Sequence, residues 1–118
     1  MKYMLLMYWN QADQPTAPDP AAFQEAAKAW ADVNKEAQEA GVLISTNGLS
    51  PVGNATTVRV RDGKTLITDG PFAETHEQLG GYYLVECKDI DEAVRWAAKI
   101  PAAKDGSIEV RPLWSPQQ

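Results

Sequence analysis

The sequence predicts a single α+β domain of the ferredoxin-like pattern, an antiparallel sheet with two helices on one face. Three observations predict it. Two stretches of helical apolar spacing each stand between β-rich runs, giving the order β-α-β-hairpin-β-α-β. A tight-turn signal, Asp62-Gly63, lies mid-chain between two alternating segments. The chain of 118 residues is the size of one domain, with room for one core.

Residues 2–9 (KYMLLMYW) are apolar on both alternating sets, which reads as a strand covered on both faces. Residues 10–19 (NQADQPTAPD) carry two prolines and no periodicity and read as a surface loop. Asp19 before Pro20 signals a helix start with a carboxylate cap. From there Phe23, Ala27, Trp30, Val33, Ala37 and Ala40 recur at helical spacing as the core stripe, and Gly41 ends the helix. Residues 42–46 read as a strand, after which Asn47-Gly48 offers a turn or a bulge. Residues 56–61 (TTVRVR) and 64–69 (KTLITD) pair as an antiparallel hairpin. Residues 80–87 (GGYYLVEC) form another β-rich run, in which Gly80-Gly81 allows close backbone approach or a bulge. Asp89 and Glu92 make a capping box for a helix running to Ile100 and stopped by Pro101. Residues 107–114 give a last strand, followed by a flexible tail at 115–118.

Composition narrows the function classes. Hydrophobic residues at 44% and charged residues at 23% are those of a globular chain that folds unaided. A net charge of −5 sets the surface against phosphate backbones, so nucleic acid is not an expected partner. The longest apolar run is far short of the roughly 20 residues a membrane helix needs, and no signal peptide is evident, so no membrane partner is expected. Cys87 is the single cysteine, which fits a reducing, cytoplasmic setting and leaves no thiol pair for zinc.

Two helices cover only one face of such a sheet. The other face, with residues from the first strand and one of Tyr82 and Tyr83, would be an apolar patch that soluble monomers seldom expose. A homodimer is the expected solution, two sheets meeting about a twofold axis with a cavity between them.

The most distinctive segment is residues 68–81, TDGPFAETHEQLGG. Together with KYMLLMY, GVLISTNGLSP, ATTVRVRDGKTLITDGPF and DEAVRWAAKIPAAKDGSIEVRPL, it resembles the DGPF-domain family within the YCII-related superfamily. The resemblance spans nearly the whole chain apart from residues 10–18. It implies a dimeric α+β barrel. It also implies an accessory or regulatory role, because similar domains are often encoded beside extracytoplasmic-function sigma factors; a partner in a sigma-factor pathway follows as an expectation. Some YCII-like relatives use a His and Asp pair whose His lies near the first helix. The single histidine here is His76, where relatives typically carry Lys.

Two functional readings follow. In the first, the protein is a non-enzymatic homodimer that binds a small molecule. In the second it is a cofactor-independent enzyme acting on a small anionic or aromatic metabolite, with Asp69 as base and His76 as proton shuttle. The ligand-binding candidates are Arg59, Gly70, Pro71, Phe72, Glu74, Tyr82 and Arg111, the two arginines as partners for an acid group. Against these stand plainer readings: Asp69 caps a short helical turn begun by Pro71, Glu74 to Gln78 form a solvated helical turn, and Arg59 with Arg61 lie on a solvated hairpin face. No cofactor or metal is expected, since His76, Glu77 and Asp69 match no ligand spacing and no phosphate loop or nucleophile elbow is present.

Overall fold

The computed structural model describes residues 1–13 and 19–116. In chain order the elements are β1 (Lys2–Trp9), α1 (Pro20–Glu39), β2 (Leu43–Gly48), β3 (Thr56–Arg61), β4 (Lys64–Asp69), β5 (Gln78–Glu86), α2 (Ile90–Lys99) and β6 (Ser107–Pro112). Short 3-10 turns stand at Gln11–Asp13, Val52–Asn54 and Pro101–Ala103. Four strands make an antiparallel sheet in the order β2-β5-β1-β6, and β3 and β4 pair with each other as a separate ribbon. This is the ferredoxin-like arrangement with a hairpin inserted between the second and third strands of the sheet. Part of the expected loop at 10–19 and the last two residues of the expected tail lie outside the described residues.

Alternation along β1 decides the layers. Tyr3, Leu5 and Met7 point to the helix side and are buried with Tyr83 and Val85 of β5, Cys87, and Ala93, Ala97 and Ile100 from α2 and its end. Burying a side chain such as Leu5 or Val85 is worth about 1.5–3 kcal/mol, and the two alanines let α2 lie close against the sheet. The opposite set, Met4, Leu6 and Tyr8, is only half-buried, so β1 is not covered on both faces as its composition suggests. The open face has an apolar centre of Met4, Leu6 and Leu84. Polar side chains flank it: Ser45 and Asn47 on β2, and Glu109 paired with Arg111 at 2.9 Å on β6.

The helix ends show which local signals win. Asp89 caps α2, its carboxylate accepting from the Glu92 N–H at 2.9 Å, while Glu92 accepts from the Lys88 N–H at 2.9 Å. Asp19 makes no such side-chain bond; its carbonyl accepts from the Phe23 N–H at 2.9 Å and its exposed carboxylate stays with water. At the other end of α1 the Gly41 N–H bonds the Gln38 carbonyl at 3.0 Å and the Val42 N–H the Ala37 carbonyl at 3.1 Å, a Schellman closure. Only Val33 and Ala37 of the expected α1 stripe are buried. Phe23 is 62% exposed and Ala27 is exposed too, because the first half of α1 stands off the sheet; Ala40 is exposed at the helix's C-terminal cap.

The hairpin forms as its turn requires. Asp62 (φ 52°) and Gly63 (φ 73°) both take left-handed backbone, the geometry that matches the twist of paired strands. Asn47 and Gly48 make no turn but complete β2, whose irregularity lies at Ile44 instead.

Candidate functional site

Two clefts flank the end of the sheet where β1 finishes and β5 begins. They lie on opposite sides of it and share Leu49. The larger, about 680 Å³, opens between the raised first half of α1 and the helix side of the sheet. The smaller, about 510 Å³, lies on the open-face side between Tyr8, Leu79 and the loop carrying Pro71 and Phe72. Volumes of this order suit a small metabolite.

The larger cleft is built around aromatic rings. Met7, Gly80 and Tyr83 form its floor, and Trp9 and Trp30 its walls. The Trp30 and Tyr83 rings are near-parallel, 13° between planes with centroids 6.4 Å apart. Trp9 is held by an absence. A Cβ at Gly80 would come within 2.1 Å of the Trp9 ring, so only glycine lets the indole lie on the β5 backbone. Met7 pairs with Gly81 and Tyr8 with Leu79, which leaves Gly80 as the extra residue of a β-bulge. Both sequence readings of Gly80-Gly81 therefore hold together.

The polar groups of this cleft are few. The Tyr83 hydroxyl donates to Asn34 Oδ1, and burial raises the Tyr83 phenol above its ordinary value, keeping it a neutral donor. That bond leaves the Asn34 amide N–H groups without a partner among the described residues. Asp105 stands at the rim and, among the described residues, is the one Asp, Glu, Lys, Arg or His lining the cleft.

The sequence-derived candidates are placed elsewhere. Asp69 ends β4 and His76 lies in the following loop; both are exposed, and neither lines either cleft. Residues 71–77 contain no helix, so Asp69 caps no helical turn and Glu74 to Gln78 form none. The loop is shaped by its own polar groups instead: the Thr75 hydroxyl donates to the Glu77 carbonyl and the Gln78 amide to the Thr75 carbonyl, both at 2.6 Å. Ser107 fastens it to β6 through Glu77 at 2.9 Å. Gly70 is fixed by its N–H to the Ala55 carbonyl at 2.7 Å and by the Thr57 hydroxyl to its own carbonyl at 2.8 Å. Pro71 and Phe72 line the smaller cleft, Phe72 being 78% exposed, while Glu74 is exposed and lines neither.

Arg59 lies on the outer hairpin and reaches the Phe72 carbonyl at 3.5 Å. Arg111 is occupied by Glu109 on the open sheet face, and that hydrogen-bonded pairing raises its pKa further. The two arginines do not converge on a common site. Tyr82 and Tyr83 do point to opposite faces, with Tyr83 in the larger cleft. Tyr82 lies on the open face, where the Asn47 amide donates to its hydroxyl at 2.9 Å and Ser45 lies at 3.1 Å. These bonds lower the Tyr82 phenol from its ordinary value. Among the described residues no three metal-ligating side chains cluster.

The sequence reading missed Trp9, Asn34 and Asp105, and took Trp30 as core. The available signal was weak: an aromatic at the end of β1 opposite a double glycine.

A model of the YCII-related domain matches residues 1–116. The chain belongs to the YCII-related domain family. The YCII-related chain is similar to an uncharacterized protein of Rhizobium meliloti (strain 1021), 38% identical over 115 residues, which are 96% of this chain and 92% of that protein. Within the YCII-related chain no helix among the described residues is long and apolar enough to cross a membrane.

Proposed function

We propose that the protein is a homodimeric small-molecule-binding protein of accessory or regulatory kind, and that its ligand enters the cleft between α1 and the sheet. The observation that carries this is the composition of that cleft: metabolite-sized and aromatic-walled, with a few oriented polar groups, and lined by neither Asp69 nor His76. Acid–base catalysis by that pair would need both side chains to reach one bound molecule. The DGPF sub-family, a cytoplasmic setting and a sigma-factor pathway partner belong to the same reading, supported by the segment at 68–81 and the single cysteine.

The homodimer is supported by the shape of the chain. Its radius of gyration is 16.5 Å, against about 13.5 Å for a compact chain of this size. It is only 19 Å thick across its shortest axis, about two layers with one left uncovered.

Thermal-shift screening of a metabolite library tests the binding reading. A ligand that raises Tm is expected to keep its effect in Asp69→Asn and His76→Ala and to lose it in Trp30→Ala. Loss in either of the first two variants returns the catalytic pair to the site, and a library without a hit sinks the binding reading.

A further inference from the structure

The cleft between α1 and the sheet differs from what an acid-binding site requires. Among the described residues lining it there is no Lys, Arg or His, and Asp105 at the rim is the one charged group. The arginines that would hold a carboxylate are committed elsewhere, Arg111 to Glu109 and Arg59 to the hairpin side. The chain as a whole carries net charge −5, so the surrounding field also opposes an anion. What the cleft offers instead is the faces of two indoles and a phenol ring. Such faces attract flat apolar bodies and cations and repel negative charge.

We infer that this cleft takes a planar aromatic ligand that carries no carboxylate or phosphate, its ring between Trp9 and the Trp30–Tyr83 pair and a cationic nitrogen group turned to Asp105. This rests on the proposed binding function and names the ligand class of that same site. The Asn34 amide N–H groups then supply a donor for a ring heteroatom, because the Asn34 carbonyl is already taken by Tyr83. Gly80 is part of the specificity, since the seat of Trp9 exists only without a side chain there. The anionic member of the substrate classes suggested by the sequence is thereby set aside.

The test uses three probes with one ring system and different charge: 2-naphthamidine, 2-naphthamide and 2-naphthoate. Each is titrated into nitrogen-15-labelled protein while the four tryptophan indole N–H signals are followed. The amidine is expected to shift the Trp9 and Trp30 signals and leave those of Trp96 and Trp114 in place. It should bind about 2–5-fold more tightly than the amide, the range of a solvent-exposed ion pair, and the naphthoate more weakly than either. In Asp105→Asn, a surface change that leaves the core intact, the amidine should fall to the affinity of the amide. Naphthoate binding at Trp9 and Trp30 as tightly as the amidine overturns the ligand class while leaving the binding function standing. An amidine advantage that survives Asp105→Asn overturns the role of Asp105. Movement of neither indole with any probe overturns the binding site itself.

Discussion

Gly80 is the position where one atom matters most. Adding a methyl group there drives a Cβ to within 2.1–2.6 Å of three Trp9 ring atoms, and the indole must leave its seat. Overpacking of this kind costs about 1–3 kcal/mol, so Gly80→Ala is expected to lower Tm by several degrees and to red-shift tryptophan emission as Trp9 meets water. An unchanged melting curve and spectrum would contradict the contact. Cys87 is the second such position. Burial first, then the negative charge of Glu92, pushes its thiol from 9.0 to about 11. At pH 8 about one thiol in a thousand is ionised, so labelling by a disulfide reagent should be slow in the native protein and fast in denaturant. The sign for stability follows: the folded state holds this proton more tightly, so the stabilisation is complete below pH 9 and is lost as pH rises through 11. Urea midpoints that fall over that window in the wild type and not in Cys87→Ala would confirm it.

At the scale of elements, the hairpin is the part the main sheet does least to support. Val58, Val60 and Ile67 share one face by register and are 59%, 60% and 68% exposed. β-branched side chains at these levels of exposure are a place where a second protein copy would gain most by covering them. Ile67→Asp is therefore expected to weaken the proposed dimer by one to two decades in Kd, measured by sedimentation, without changing the circular dichroism of the sheet. A dimer of unchanged affinity would place the contact elsewhere. The hairpin was also the most legible element, because Asp62-Gly63 and two alternating runs form a local code that needs nothing from the rest of the chain. α2 was legible for the same reason, its Asp89 cap and Pro101 stop both acting within one turn. α1 was not. Its apolar spacing marks a helix but does not say how far along its length the sheet extends beneath it, so Phe23, Ala27 and Trp30 all read as core. The cleft that results is a property of tilt between two layers, and no single segment encodes it. Residues 71–77 failed for the opposite reason: Pro71 and the Glu74/Gln78 spacing favour a helical turn locally, while Gly70, Thr75 and Gln78 bonds hold an irregular path.

At the scale of the molecule, the open face of the sheet is the surface through which the proposed dimer would form. Its apolar centre is compact and its charged pair, Glu109 with Arg111, is internally neutral, so two copies would meet there without like-charge opposition. Leu6→Asp places a charge at that centre and is expected to give a monomer by light scattering with its secondary structure retained. A dimer that survives the change would rule out the sheet-to-sheet arrangement. The bulge at Gly80 has a larger part in this geometry than its size suggests. Side chains alternate along a strand, yet Gly81 pairs with Met7 on the helix side and Leu79 with Tyr8 on the open side, two positions apart but on opposite faces. The bulge thus acts as a half-turn in the wiring of β5. Deleting Gly80 removes the extra residue and leaves Leu79 opposite Tyr8 on the open side, whereas a regular strand that kept Gly80 would pair it with Tyr8 and carry Leu79 to the side of the sheet where the helices lie. It is the bulge, and not the length of β5, that keeps Leu79 and the loop carrying Pro71 and Phe72 beside the open face and out of the space that α1 occupies.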